Sequence, residues 1–159
     1  MLPRRSAVVP VVAMVLAIAG CGPAGGGGES PEGTVSIPGG TPVNVTLSEY
    51  SVVTDIANAP AGEITFHVTN EGPNDIHEFV VILADDLAPD ALPTLDDGSV
   101  DTENGEGVDE MNAIEAIAVG ETKDLTLSLE IGDYVLICNF VEDGESHYQE
   151  GMRTAFRVE

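Results

Sequence analysis

Leu125-Thr-Leu-Ser-Leu-Glu-Ile131-Gly132-Asp133-Tyr134-Val-Leu-Ile-Cys138-Asn-Phe140 alternates apolar and polar side chains up to Ile131, turns at Gly-Asp, and resumes as an apolar run. Alternation with period two lines one face of a strand, and Gly-Asp is a reversal signal, so the stretch predicts two consecutive strands. The second of them runs into a thiol. Beyond it the chain reads Cys138-Asn-Phe-Val-Glu-Asp-Gly-Glu-Ser-His147-Tyr-Gln-Glu-Gly-Met152, a thiol, an imidazole and a thioether spaced C-x8-H-x4-M. Asp143-Gly144 can reverse the chain between them, so one loop can present three soft or borderline donors to one point.

The same β-type pattern extends upstream. Ile64, Phe66 and Val68 alternate with Thr65, His67 and Thr69, and Asn70-Glu-Gly-Pro-Asn-Asp75 is a dense turn signal. Val43, Val45 and Leu47 alternate with polar neighbours until Tyr50 and Val52 take over the apolar phase, which predicts a bulge or bend near Glu49. Phe79 to Leu83 is continuously apolar, as a strand buried on both faces should be, and Thr154 to Val158 supplies a last strand. Short strands separated by turns predict an all-β sandwich. The exception is 85–121, an acidic segment with Gly and Pro. It reads as a long surface loop covering one end or edge of the sandwich, with a helical turn over Asp109 to Glu115.

The first 20 residues have Arg4 and Arg5, an apolar stretch from Ala7 to Ala19, and small residues before Cys21. The stretch is shorter than the roughly 20 apolar residues a bilayer span needs, and it has the three-part build of an export signal. Ile18-Ala19-Gly20-Cys21 resembles the lipobox of bacterial lipoproteins, which implies cleavage before Cys21 and a lipid on its sulfur; an ordinary secretory signal is the plainer alternative. Residues 21–41 then form a lipidated cysteine and a flexible Gly/Pro-rich tether, with a mean reach of about 25 Å, and 42–159 form the folded domain. With Cys21 lipidated, Cys138 is the sole remaining thiol. In an oxidising compartment such a thiol needs protection, by metal ligation or by simple burial.

The formal net charge is −23, and all 28 acidic residues follow Cys21, opposed there only by Lys123, Arg153 and Arg157, so the exported chain carries 3 − 28 = −25. That charge excludes nucleic acid and bare anionic lipid as partners and favours basic ones. A salt-adapted, solvated surface would have the same composition.

A fourth donor is available in Asn74-Asp-Ile-His77-Glu-Phe-Val-Val81, at the mouth of the buried run. Two imidazoles and a thiolate in a near-trigonal plane, with a weak axial thioether, suit copper in both its oxidation states. His67 lies on the polar face with Thr65 and Thr69 and reads as solvated; Met111 lacks a partner at ligand spacing and reads as a packing residue. Asp85-Asp86, Asp96-Asp97 and Asp109-Glu110 lack the spacing of a calcium loop.

Gly62-Glu-Ile-Thr-Phe-His-Val-Thr-Asn-Glu-Gly72, Ile76-His77-Glu-Phe-Val-Val81 and Gly132-Asp-Tyr-Val-Leu-Ile-Cys138, with His147 and Gly151-Met152, resemble the cupredoxins, the blue-copper proteins, over about Pro42 to Glu159. The resemblance implies a Greek-key β-sandwich with one type 1 copper held by His77, Cys138, His147 and Met152. It also implies that the edge of His147 lies near the surface as the electron's exit, with Tyr148 beside it in a docking patch. Two departures stand out. The Cys138-to-His147 loop is long, similar to the blue site of copper nitrite reductases, and Glu78 stands where many members have Asn or Ser tying the ligand loops together.

Neither Ile137 nor Asn139 is a histidine, so the His-Cys-His bridge to a second copper is missing, and no second cysteine follows for a dinuclear site. The implied function is a one-electron carrier, not an enzyme, serving a redox protein such as a basic cytochrome or an oxidase. It would work outside the cytoplasmic membrane, on the outer face of the cell membrane or in a periplasm, touching lipid only through its anchor. The alternatives are a copper chaperone or storage protein delivering Cu(I) to an oxidase, and a metal-free β-sandwich binding module.

Overall fold

Thr41 opens the first strand, one residue before the expected start of the domain. The computed structural model describes residues 40–84 and 86–159; the export signal, Cys21 and the tether as far as residue 39 lie outside the described residues. The elements are β1 (Thr41–Ser48), β2 (Ser51–Thr54), β3 (Asn58–Ala59), β4 (Gly62–Gly72), β5 (His77–Leu83), β6 (Asp109–Ile117), β7 (Thr122–Leu129), β8 (Gly132–Ile137), β9 (Val141–Glu142), β10 (Glu145–Ser146), α1 (His147–Glu150) and β11 (Arg153–Val158).

Two mixed sheets face each other, ordered β2-β1-β4-β7 and β3-β11-β8-β5-β6, with β9 and β10 forming a separate ribbon. The β1–β4 and β3–β11 pairs are parallel and the remaining pairs antiparallel. The alternation explains the packing. Val43, Val45 and Leu47 of β1 and Ile64, Phe66 and Val68 of β4 point inward against Phe79, Val81, Leu136, Phe156 and Val158. Phe66 is central, its ring 5.4 Å from that of Phe79 and 5.6 Å from that of Phe156. Each such side chain contributes about 1.5–3 kcal/mol by leaving water.

The predicted double burial of β5 is observed. Val80 and Ile82 join Val135 and Ile137 in a second cluster on the outer face of the five-stranded sheet, closed by Leu92, Val100 and Tyr148. The long acidic segment therefore covers a face of the sandwich rather than an end or edge. Side chains pin it there: the Asn139 amide bonds both the amide and the carbonyl of Val100, and Ser146 donates to the Gly98 carbonyl.

Four expectations are corrected. Asp109 to Glu115 is not a helical turn but part of β6, the edge strand on β5. The β5–β6 register shifts twice, which breaks the period of two and leaves Met111, Ile114 and Ile117 at a spacing that imitates a helix. Met111 is exposed on that edge, so it is not a packing residue. The expected bend near Glu49 is a full reversal, with Ser48 paired to Ser51 across a β1–β2 hairpin. Ile131 falls beyond β7 and is 73% exposed, so the inward alternation stops at Leu129.

Candidate metal centre

Strand β8 lies between β11 and β5, and Ile137 pairs with Val80 on one side and Arg153 on the other. His77 is the first residue of β5, Cys138 the residue after β8 and Met152 the residue before β11, so the topology brings all three to one end of the sheet. His147 is delivered by the ribbon. Asp143 and Gly144 have φ of 51° and 87°, the left-handed pair that a two-residue hairpin turn requires, and the returning β10 ends at Ser146. Ser146 caps α1 by accepting from the Gln149 amide, which places His147 at the helix start. Gly151, at φ 124°, ends the turn where a Cβ would approach the Tyr50 carbonyl to 3.3 Å. Two backbone bonds then lock the loop: the Met152 amide donates to the His147 carbonyl at 2.9 Å, and the Cys138 amide donates to the Met152 carbonyl at 3.0 Å.

The three strong donors converge. His77 Nδ1 is 3.1 Å from His147 Nδ1, and Cys138 Sγ is 3.5 Å from His147 Nδ1 and 3.9 Å from His77 Nδ1. Bonds of about 2.0–2.1 Å to nitrogen and about 2.3 Å to sulfur would set such atoms roughly 3.5 to 3.8 Å apart around a trigonal ion. The triangle therefore fits a first-row metal ion, and the soft donor set fits copper. His77, Cys138 and Met152 are fully buried and His147 is 1% exposed. Among the described residues no other cluster of His, Cys, Asp or Glu side chains closes in this way.

Electrostatics show what a cation would relieve. Burial pushes the Cys138 thiol up to about 11, although the amides of Glu78 and Phe140 pull it down, the first donating to Sγ at 3.2 Å. Burial, and then the neighbouring His147, hold His77 below the usual imidazole range, favouring the neutral form that binds metal. The Glu78 carboxyl also acts on the Cys138 thiol, its charge raising it further. Burial, reinforced by Glu110 and Glu115, raises its carboxyl to about 7. The tie between the two ligand loops thus runs through the Glu78 backbone amide, not through a side chain at that position.

His67 is outside the cluster, paired with Asp124 at 2.7 Å. Two expectations about the surface are corrected. Tyr148 is buried rather than part of an exposed docking patch, because its hydroxyl donates to the Pro89 carbonyl and accepts from the Leu92 amide, holding the covering segment down. The His147 edge is likewise not at the surface. The rings of Tyr50 at 5.3 Å, Phe140 at 5.6 Å and His77 at 5.1 Å surround it.

Sequence reasoning did not single out Glu49, Tyr50, Asn70 or Phe140 as parts of the site. Asn70 donates to the Asp75 and Ile117 carbonyls and accepts from the Gly72 amide, shaping the turn that presents His77. Glu49 accepts from the amides of Asn74 and Asp75 on the same turn. The one available signal was the break in alternation at Glu49.

Fold and donor geometry together define a cupredoxin sandwich with a His, Cys, His, Met end. The structure of Na-dithionite reduced auracyanin from Roseiflexus castenholzii is similar at TM-score 0.51 and 20% identity, over 75% of this chain and 97% of that one. Auracyanin B (TM-score 0.49, 19% identity, 83% of this chain and 92% of that one) and an azurin, Az-iso2, from Methylomonas sp. strain J (0.49, 16%, 75% and 98%) are also similar. The chain has the cupredoxin fold. No protein-family model and no curated protein matches its sequence.

Proposed function

We propose that the protein carries single electrons through one type 1 copper ion held by His77, Cys138, His147 and Met152, outside the cytoplasmic membrane. The observation that carries this is the buried triangle of two Nδ1 atoms and one Sγ within 3.9 Å of one another. Copper, when bound, supplies a one-electron couple. The chain supplies the rest. Cys138 is the thiolate, and the amides of Glu78 and Phe140 directed at its sulfur moderate its basicity. His77 and His147 would hold the ion as neutral imidazole donors, and Met152 would supply a weak thioether. Backbone bonds among Cys138, His147 and Met152 hold the cage against rearrangement, and full burial excludes water.

With His147 enclosed, electrons pass between it and a partner through Tyr50 and Phe140, which are part-exposed and edge-on to its ring. Glu145, Asp75 and Glu150 act on Tyr50, so the rim is acidic and suits a basic redox partner. Enclosure of all four donors argues against a copper chaperone, whose site must open to hand its ion on. Convergence of the donors argues against a metal-free module. The auracyanin above is described in a chemically reduced form, which accords with a redox role.

Voltammetry of the copper-loaded protein tests the proposal. A reversible one-electron wave with no loss of metal is expected; copper released on reduction would replace the carrier with a delivery protein.

A further inference from the structure

Among the described residues the β9–β10 ribbon, which delivers His147, pairs with neither sheet. Its backbone bonds close on the loop itself: the His147 amide donates to the Phe140 carbonyl at 3.0 Å, and the Met152 amide donates to the His147 carbonyl at 2.9 Å. Three of the loop's side chains reach outward to the same place. Asn139, next to Cys138, accepts from the Val100 amide at 2.7 Å and donates to the Val100 carbonyl at 3.2 Å. Ser146, just before His147, donates to the Gly98 carbonyl at 2.7 Å. Tyr148, just after it, donates to the Pro89 carbonyl at 2.8 Å and accepts from the Leu92 amide at 3.1 Å.

That place is braced in its own right. Residues 93–101 close into a hairpin, the Asp101 amide donating to the Pro93 carbonyl at 2.9 Å, the Leu95 amide to the Ser99 carbonyl at 2.8 Å, and Thr94 bridging Val100. The Asp97 carboxylate accepts from both the amide and the hydroxyl of Ser99 at its turn. Leu92 and Val100, both buried, fasten the hairpin to the outer face of the five-stranded sheet beside Val80, Ile82 and Ile137. Loop and hairpin meet closely at Gly98, whose φ is 85° and where a Cβ would stand 2.8 Å from the Gln149 side chain and 3.0 Å from the Ser146 Cβ.

We propose that this hairpin sets the position of His147, with Asn139, Ser146 and Tyr148 as the positioning residues through which it acts. A loop whose backbone bonds are internal can shift as a body, so it is fixed by what its side chains grip outside. Breaking such bonds where they are buried leaves unpaired polar groups, which is what makes the grip firm. His147 closes the donor triangle against His77 and Cys138, so the hairpin sets how tightly that triangle is drawn. The opposite arrangement, a loop fixed by the sandwich that merely holds a passive cover down, predicts that loosening the hairpin leaves His147 undisturbed. Any effect on copper rests on the function proposed above; the placing of His147 does not, because these bonds exist in the metal-free protein.

The test is amide hydrogen exchange in the metal-free full chain, wild type, Gly98→Ala and Tyr148→Phe. The first variant disturbs the grip from the hairpin, the second from the loop. In both, the His147 and Met152 amides should exchange roughly tenfold faster, together with that of Leu92, while amides of β1 and β4 keep their wild-type rates. Unchanged rates at His147 and Met152 overturn the proposal, whatever Leu92 does. Equal acceleration throughout the sandwich also overturns it, since the contacts would then serve general stability alone. Should Gly98→Ala fail to fold, Tyr148→Phe, which loses one oxygen atom, decides. With copper bound, both variants should release the ion to a chelator roughly tenfold faster. Failure of the wild type to bind copper would remove the proposed function but leave the exchange result standing.

Discussion

At the scale of single residues the site opposes burial to ionisation. The Cys138 thiol sits near 11, so metal uptake must displace a proton, and apparent copper affinity should climb about tenfold per pH unit across roughly pH 7 to 9. Competition titrations at several pH values measure this; a flat profile would mean that the thiol is not the ligand. Glu78 gives a second pH effect of known sign. Its carboxyl is raised from 4.5 to about 7, so between those values the folded state holds a proton that the unfolded chain has released. Stability of the metal-free protein should therefore fall as pH rises through that window, and Glu78→Gln should flatten the fall, as followed by urea unfolding. An identical pH profile in the variant would contradict the assignment. Of these residues, Cys138, His147 and Met152 were legible in the sequence because one loop carries them at fixed spacing. Glu49 was not, because its partners Asn74 and Asp75 lie far along the chain, and Asn70 was legible only as part of a turn, its bond to the Ile117 carbonyl being one that no local pattern marks.

At the scale of elements, strands with clean alternation were legible and the covering segment was not. β4, β5 and β8 follow their apolar periods because both faces or one face of each meet a core. β6 was misread because an edge strand with two register shifts loses the period of two that would reveal it. The covering segment is held by Tyr148, whose hydroxyl serves both Pro89 and Leu92. Tyr148→Phe leaves the buried Leu92 amide without its acceptor and should cost about 1–3 kcal/mol. Hydrogen exchange should show the Leu92 amide exchanging faster in the variant while amides of β1 and β4 remain protected. Uniform loss of protection would mean instead that the segment and the sandwich unfold as one unit.

Over the whole molecule, 28 acidic groups with few opposing cations make self-repulsion a standing cost. Salt shortens the reach of that repulsion from about 30 Å at 0.01 M to about 8 Å at 0.15 M. Thermal stability should thus rise over that range, and electron exchange with a basic redox protein should slow. Stability indifferent to salt would show that the charges are already spaced beyond mutual influence. The charge excess and the sandwich were both legible from composition and strand count; the enclosure of His147 was not, since it depends on Tyr50 and Phe140 arriving from separate loops. The central claim is that Cys138 binds one copper ion within this enclosure, and the visible spectrum during a Cu(II) titration tests it most directly. An intense thiolate-to-copper band that saturates at one ion per chain and vanishes in Cys138→Ser is the predicted result; a band that survives in Cys138→Ser, or no band at all, would contradict it.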